Sequence, residues 1–185
     1  YNNSEQIYSA NGACMLVRRT VIDKIDLFDE DYFSYVEETD FCHRALLAGY
    51  QIWYQPKGVI YHIGGMDNSR YHQSVLIYNS HRNRITTYVK NFEVGNLIRI
   101  LPITVFCYFI AVIIYLGFGK PKNSLAVIKA LIYNITHINK ILRKRYIIQH
   151  KYRQCKDDDF LPVVTRNPHV HYYFSLFTGL ENYVD

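Results

Sequence analysis

Nineteen consecutive residues, Ile100 to Phe118, carry no charge and are rich in Ile, Phe and Tyr. A helix needs about 18 to 20 apolar residues to cross a bilayer, so this stretch is long enough. Pro102 lies near its start, several of its side chains are aromatic, and no clean second span follows. A full crossing, a hairpin that dips into one leaflet and a helix in the interface therefore all remain open.

The segment after this apolar stretch is basic. Lys120 and Lys122 follow directly, and Ser124 to Tyr146 has the pattern of an amphipathic, increasingly basic helix. Residues 140 to 156 include seven lysines and arginines and no acidic residue, in a chain of net charge +5. Such a cluster suits nucleic acid or an anionic membrane. Because an apolar stretch adjoins it, we expect residues 97–156 to contact a membrane surface and not nucleic acid.

Two segments follow the basic region. Asp157–Asp159 predicts a solvated acidic cap that balances the positive charge before it, since no strand flanks it to build a metal site. Residues 160–185 form an aromatic C-terminal tail, in which an exposed segment is a better interpretation of His169 and His171 than a metal site. The four cysteines are widely spaced and form no C-x-x-C pair, which argues against a zinc module or a disulfide framework and favours a reducing compartment.

Residues 1–69 have the pattern of a mixed α/β structure. A helix predicted over Glu37–Leu47 begins with acidic residues and ends at Gly49. The other predicted elements are a short helix over Val21–Ile25 and strands over Ala13–Val17, Gln51–Tyr54 and Val59–Tyr61. So few strands do not complete a sheet, so we expect partner strands from elsewhere.

Residues 70–159 change to long helices. One apolar stripe has alternating spacings of three and four residues, and its members are Val75, Tyr78, Arg82, Ile85, Val89 and Phe92. Arg82 interrupts this stripe with a charge. It is either a snorkelling or salt-bridged arginine, or an arginine that binds a phosphate-bearing ligand.

Three carboxylates, Glu37, Glu38 and Asp40, crowd the first turn of the predicted helix. The helix dipole favours negative charge there, and Asp40 has the i,i+4 spacing for a pair with Arg44, so a structural role is open. Glu37 and Glu38 are neighbours, so at most one of them points into a cleft, where it could accept a proton from a substrate hydroxyl. His62 ends a predicted strand beside two glycines, where an imidazole could complete a metal site.

Taken in order, these segments resemble the C-terminal half of family 2 glycosyltransferases with the GT-A fold, especially the rhamnosyltransferase-like branch that makes cell-surface polysaccharides. The matching segments are NGACMLVRR (Asn11–Arg19), LFDEDYFSYVEETDFCHR (Leu27–Arg44), AGYQIWYQPKGVIYHIGG (Ala48–Gly65), YNSHRNRITTYVKNF (Tyr78–Phe92) and KRYIIQHKYRQCKDDD (Lys144–Asp159). The resemblance implies an α/β fold: the acceptor-binding half of a GT-A fold, followed by a helical membrane-associated region.

The resemblance also implies roles for particular residues. The family places its general base in an acidic pair that is usually Glu-Asp; here the pair is Glu37–Glu38, so Glu38 takes the base position with an arm one methylene longer. Asp40 belongs to the same group of candidate catalytic carboxylates, although a structural role is favoured for it.

The acceptor and metal positions carry over in the same way. Gly12 and Ala13 match small residues on the floor of the acceptor cleft, and Arg82 is the candidate for an anionic substrate group. His62 matches a histidine that binds Mn²⁺ or Mg²⁺ together with an Asp-x-Asp motif.

The implied partners are a nucleotide-sugar donor and a lipid-linked saccharide acceptor, at the cytoplasmic face of the cell membrane in a peripheral or monotopic arrangement. We find no Asp-x-Asp motif after a strand in this sequence. We therefore expect a nucleotide-binding half ahead of residue 1, or a homo-oligomer, to complete the site, and the isolated chain to be inactive. The alternative is a non-catalytic, membrane-associated remnant or an accessory partner of a separate nucleotide-binding chain.

Overall fold

The computed structural model describes residues 2–62 and 72–164. These residues are mostly helical. The elements are β1 (Glu5–Gln6), α1 (Arg19–Ile25), α2 (Glu37–Leu47), β2 (Trp53–Tyr54), α3 (Gln73–Asn91), α4 (Val94–Gly117), α5 (Pro121–Thr136), α6 (Ile138–Ile147) and α7 (Asp157–Val164), with a π-helical turn over Ile148–Tyr152. The two short strands pair antiparallel, with Glu5 opposite Tyr54 and Gln6 opposite Trp53.

The first hydrophobic core lies around α2. The buried side of this helix, including Phe41 and Leu47, packs against Ile25 of α1, Ile148 of the π-helical turn and Phe160 of α7. A hydrophobic face at helical spacing requires such a partner, and here the partners come from both ends of the chain. The C-terminal helices therefore complete the core of the N-terminal part.

The second core joins α3, α4, α5 and α6. Ile85 and Val89 of α3 pack with Tyr108 of α4, Val127 of α5 and Ile141 of α6. Small buried residues on α5, such as Ala126 and Ala130, let α3 approach it closely. Helix α3 also contacts α2 of the first core, and α6 continues into the π-helical turn that packs in that core, so the two parts share a continuous helical frame.

The helices α2 and α3 follow the predicted patterns, and α1 begins slightly earlier than predicted. The predicted strands are mostly wrong. Residues 13–17 form an irregular, largely exposed segment, and residues 59–61 are exposed coil. Of the predicted strand Gln51–Tyr54, only Trp53–Tyr54 is a strand. Short apolar runs become strands only where a neighbouring strand supplies hydrogen bonds, and the described residues supply one such pair.

Two predictions about the basic region are also wrong. The single helix expected over Ser124–Tyr146 is broken at His137, where α5 and the segment Ile138–Tyr152 meet at 65°. Asp157 is fully buried, although Asp158 and Asp159 are exposed. Asp157 accepts hydrogen bonds from the backbone N–H of Glu93 at 2.8 Å and from the Arg153 guanidinium at 3.0 Å, so it joins α7 to the start of α4.

Candidate active site

Glu37 and Glu38 are the first two residues of α2, and both are half-buried. The turn before them is strained. Tyr35 and Val36 have φ angles of 66° and 74°, in the left-handed region that a β-branched valine rarely adopts. The backbone N–H of Asp40 donates to the carbonyl of Val36 at 2.8 Å, so the helix starts directly from this turn.

Asn83 of α3 fixes the strained turn. Its side chain is fully buried, and its Nδ2 donates to the carbonyls of Ser34 at 3.0 Å and Tyr35 at 2.7 Å. The Tyr32 hydroxyl, also buried, hydrogen-bonds Thr87 of the same helix at 2.7 Å. An unfavourable φ persists only when the surroundings over-determine it, and these bonds from α3 do so. The direction of the two carboxylates is thus set by a neighbouring helix.

Asp40 lies beneath the acidic pair in a buried ion cluster. The Arg44 Nε donates to it at 3.0 Å, which confirms the predicted i,i+4 pair, and Lys90 Nζ lies 3.0 Å from its other oxygen. Asn91 donates a further bond at 3.1 Å. Burial alone would raise the pKa of Asp40, but the charges of Lys90 and Arg44 outweigh it and lower the pKa. With no exposed surface, Asp40 does not face a substrate, and its role is structural.

The loop between α1 and α2 is fixed by the same cluster. Lys90 is 1% exposed and bonds Asp29 at 2.5 Å. Lys144 of α6 contacts both Asp29 and Asp31, and Lys140 reaches Asp31 at 2.6 Å. Although burial raises the pKa of Asp29, the charge of Lys90 and the bond from Lys144 hold it well below its usual range. The loop therefore docks on α3 and α6 through charge.

Glu38 faces the glycine of the N-terminal loop. A Cβ built on Gly12 would lie 3.8 Å from the Cβ of Glu38 and 4.0 Å from its Cδ. The turn that carries Gly12 is closed by the backbone N–H of Ala13, which donates to Asn11 Oδ1 at 2.9 Å. Gly12 and Ala13 are exposed. The structure therefore brings Gly12 to the Glu38 side chain and leaves this contact at an open surface.

The two glutamates differ in environment. Burial raises the pKa of the Glu37 carboxyl, and the neighbouring charge of Glu38 raises it further. Among the described residues, Glu37 Oε2 is buried and has no hydrogen-bond partner. A carboxyl with a raised pKa beside a second carboxylate is the arrangement that separates acid and base roles at enzyme sites.

Arg82 is engaged by the protein itself. Its guanidinium donates to the carbonyl of Asp31 and to Asn83 Oδ1, both at 2.8 Å, and lies 5.3 Å and 5.0 Å from the rings of Tyr78 and Tyr133. The contacts combine backbone, amide and aromatic partners, and no carboxylate within 4.0 Å is among them. This packing favours the structural interpretation of Arg82 over anion binding.

His62 is exposed and is the last described residue before the gap at 63–71, so the predicted Gly64–Gly65 turn lies outside the described residues. Within the two described ranges, no three His, Cys, Asp or Glu side chains come together as a metal site. The described residues therefore do not fit a divalent ion by themselves, and His62 offers one ligand at most. His169 and His171 also lie outside the described residues.

Sequence reasoning missed Asn83, which holds the turn before the acidic pair, and Lys90, which pairs with Asp29 and Asp40. Both lie on the polar side of α3 and reach partners 48 to 61 residues away in the sequence. One feature of the sequence indicates the role of Asn83. It is part of a polar pair, Arg82–Asn83, in a helix with an apolar stripe, and polar residues buried by such a helix need hydrogen-bond partners.

Comparison with known proteins gives three informative matches. The low-salt glycan biosynthesis hexosyltransferase Agl10 of Haloferax volcanii is 30% identical over 83 residues, which is 45% of this chain and 27% of that protein. The N-acetylglucosaminyl-diphospho-decaprenol L-rhamnosyltransferase of Mycobacterium tuberculosis is 38% identical over 52 residues, 28% of this chain and 17% of that protein. The rhamnosyltransferase WbbL of Escherichia coli K12 is 37% identical over 70 residues, 35% of this chain and 26% of that protein.

These alignments relate the chain to glycosyltransferases. They cover about a quarter or less of each relative's length, between 17% and 27%. No family model matches the chain, and no solved structure matches it at the significance of the sequence matches.

Proposed function

We propose that this chain carries the acceptor side of an inverting, nucleotide-sugar-dependent glycosyltransferase of family 2 with a GT-A fold. The observation that carries the proposal is the contact between Glu38 and Gly12 at the open start of α2. A half-buried carboxylate beside a position without a side chain leaves room for a sugar hydroxyl to approach it. The names of the three relatives, hexosyl- and rhamnosyltransferases, agree with this chemistry.

In the proposed reaction, Glu38 accepts the proton of the acceptor hydroxyl as that oxygen attacks the anomeric carbon of the donor. The new carbon–oxygen bond forms on the face opposite the bond that breaks, whose electron pair leaves with the nucleoside diphosphate. One displacement inverts the anomeric centre and needs a single base. A positioned base of this kind typically contributes about 10²- to 10⁴-fold to the rate.

The environment of the neighbouring Glu37 makes it a poorer base and so supports the assignment of Glu38. Its raised pKa and its buried Oε2 favour a carboxyl that takes up a proton more readily than a solvated one. A protonated carboxyl cannot act as a base, so Glu37 is the less suitable of the two for that role. We therefore assign the base role to Glu38.

The proposed acceptor is a lipid-linked saccharide at the cytoplasmic face of the cell membrane. The name of the mycobacterial relative includes a diphospho-decaprenol carrier. In this chain the apolar helix α4 and the basic helix α6 pack in one core with α3, which holds the turn before the acidic pair. A lipid carrier would therefore bring its sugar toward the same frame that orients Glu38.

A divalent cation, Mn²⁺ or Mg²⁺, is a separate proposal, with His62 as the one ligand from this chain. No step above uses the metal. Isothermal titration with Mn²⁺ of the chain joined to a nucleotide-binding half, compared with its His62→Ala variant, measures whether this histidine contributes to binding.

The test is transfer of labelled sugar from a panel of nucleotide-sugars to a polyprenyl-diphosphate-linked saccharide, in membranes from cells that express this chain joined to a family 2 nucleotide-binding half. The chain expressed alone is the control and should transfer no sugar. We expect a product whose new linkage has the opposite anomeric configuration to the donor, as read by NMR. Retention of configuration would contradict the single-displacement mechanism. Failure of every donor with the joined, correctly folded protein would favour an accessory, non-catalytic partner.

A further inference from the structure

Helices α4 and α5 expose a large apolar surface. On α4, most of the exposed apolar residues are three to five positions apart along one face, opposite the face that packs in the second core. We call the exposed apolar residues of both helices the outer face: Ile98, Ile103, Phe106, Phe109, Ile110, Ile113 and Leu116 on α4, and Leu125, Ile128, Ile132 and Ile135 on α5. Several are more than 60% exposed, including Ile113 at 69%. An exposed apolar surface of this extent indicates a partner.

The charges around the outer face identify the partner. From residue 94 to residue 156 the chain has no aspartate or glutamate but eleven lysines and arginines. Some of these cations are paired within the protein, as Lys140 and Lys144 are with Asp31. Arg99, Lys120 and Lys122 form no ion pair among the described residues and lie near the two ends of α4. An apolar face bordered by unpaired cations complements an anionic lipid surface.

The contacts of α4 decide how it meets that surface. By length and composition alone α4 could cross a bilayer. However, Tyr108, near the middle of α4, packs on His81 of α3 with ring centroids 4.3 Å apart, and its hydroxyl donates to the His81 carbonyl at 3.4 Å. The exposed Arg84 lies one turn further along α3. A crossing α4 would carry this polar helix, with its arginine, to the centre of the bilayer, where charge is most costly.

The partner helix α5 gives an independent reason. Its 16 residues span roughly 24 Å, short of the roughly 30 Å hydrocarbon core. It also carries the exposed Lys129 near its middle. Insertion of the α4–α5 hairpin with its tip first would bury Lys129 and, in a single leaflet, Lys120 and Lys122 as well. Lysines at the interface instead extend their ammonium groups to water.

We propose that the α4–α5 hairpin lies flat in the interface of an anionic membrane leaflet, with the outer face in the acyl region and α3 on the water side. The inference rests on the membrane location in the proposed function and specifies its geometry. It makes the membrane contact monotopic, and it leaves the candidate active site, which α3 positions, on the water side of the hairpin.

Depth measurements test this geometry with a natural probe. Cys107 is an exposed free thiol on α4, and Phe118, also exposed, lies eleven residues further on, on nearly the same side of the helix. Eleven residues correspond to roughly 16 Å along the axis. A fluorophore is attached to Cys107 in a variant that lacks the other exposed and half-exposed thiols, Cys14 and Cys155. A second variant carries the fluorophore at Phe118→Cys with Cys107→Ser.

Quenching by lipids with nitroxides at different acyl positions, in vesicles of phosphatidylcholine and phosphatidylglycerol, gives the depth of each probe. We expect the two depths to agree within a few ångströms. A difference on the order of 16 Å would show a steep helix and overturn the proposal. If the Phe118 variant does not fold, as judged by circular dichroism, Ile98→Cys and Leu116→Cys, each with Cys107→Ser, supply a second pair. These two exposed positions are 18 residues apart on the same side of α4, so the same comparison of depths applies.

Vesicle binding tests the contribution of the unpaired lysines to membrane affinity. Each interfacial lysine contributes about 1 kcal/mol on an anionic membrane, so the double variant Lys120→Gln/Lys122→Gln should bind roughly 25-fold more weakly. Arg19→Gln/Asp23→Asn is the matched control and should change little, because it removes both members of an exposed ion pair, 2.8 Å apart, and leaves the net charge unchanged. Equal binding by all three proteins, or a dimer by light scattering with no vesicle binding, would overturn the proposal. Neither readout depends on sugar transfer, so failure here is distinct from failure of the transferase.

Discussion

Replacing Lys90 with methionine should strongly destabilise the protein. The lysine is 1% exposed, bonds Asp29 at 2.5 Å and Asp40 at 3.0 Å, and places its Nζ 4.6 Å from the centre of the Tyr32 ring. Its removal leaves two buried carboxylates short of a cation. Breaking a buried pair from one side costs about 3–5 kcal/mol. We expect the lower part of this range, about 3 kcal/mol, because Lys144 still contacts Asp29 and Arg44 still contacts Asp40.

Urea unfolding, followed by circular dichroism, measures this loss. With a slope of about 2 kcal/mol per molar urea, the midpoint should fall by roughly 1.5 M. Lys140→Met is the matched control, since Lys140 is also paired but its side chain is 53% exposed. An exposed pair contributes about 1 kcal/mol or less. Equal losses in the two variants would refute the reasoning.

The pH dependence of stability gives a second test of the same prediction. Asp29 and Asp40 have folded-state pKa values below their ordinary values, so their contribution is present above the unfolded-state pKa and is lost as the pH falls through the folded one. In Lys90→Met both pKa values should rise. Protonation then relieves the unpaired charge, so the gap between wild type and variant should narrow below about pH 5. A gap that does not change with pH would contradict an electrostatic origin.

Three further predictions concern the site and the first core. Asn83→Ala should lower the free energy of unfolding by about 1–3 kcal/mol and speed amide hydrogen exchange around Val36, because the strained turn loses two hydrogen bonds. Unchanged exchange would mean that the turn is stable without Asn83. Gly12→Leu should lower turnover without changing the melting temperature, since the new side chain would cover Glu38, whereas Gly12→Ala makes only ordinary contact. Burial lowers the pKa of His43, on α2, from 6.5 to about 4. Between these pH values the unfolded chain binds more protons than the folded one, so the free energy of unfolding should fall as the pH drops from 6.5 to 4. In His43→Phe this part of the curve of stability against pH should be flatter.

The sequence predicted what depends on local spacing. The helix from Glu37 to Leu47 and the Asp40–Arg44 pair follow from periodicity and i,i+4 distance, and both are present. Local spacing says nothing about partners distant in the chain. The second cation on Asp40 is Lys90, and its identity depends on how α3 packs against α2.

The errors have the same origin. Asp157 was predicted to be solvated because its neighbours are charged, but folding buries it under α4 and Arg153. No proline or glycine lies near His137, so the sequence does not indicate that the helix breaks there. Strand Ala13–Val17 was predicted from an apolar run, which requires a pairing strand that the described residues do not provide.

The central claim is that Glu38 accepts the proton of the acceptor hydroxyl. Single-turnover transfer by matched variants of the chain joined to a nucleotide-binding half tests this claim most directly. Glu38→Gln keeps the shape of the side chain and removes its basicity, so the account predicts a loss of about 10²- to 10⁴-fold in the transfer rate. Glu38→Asp keeps a carboxylate and should retain much of the rate, and Glu37→Gln should change it less than Glu38→Gln does. Full transfer by Glu38→Gln, or a larger loss in Glu37→Gln, would contradict the assignment.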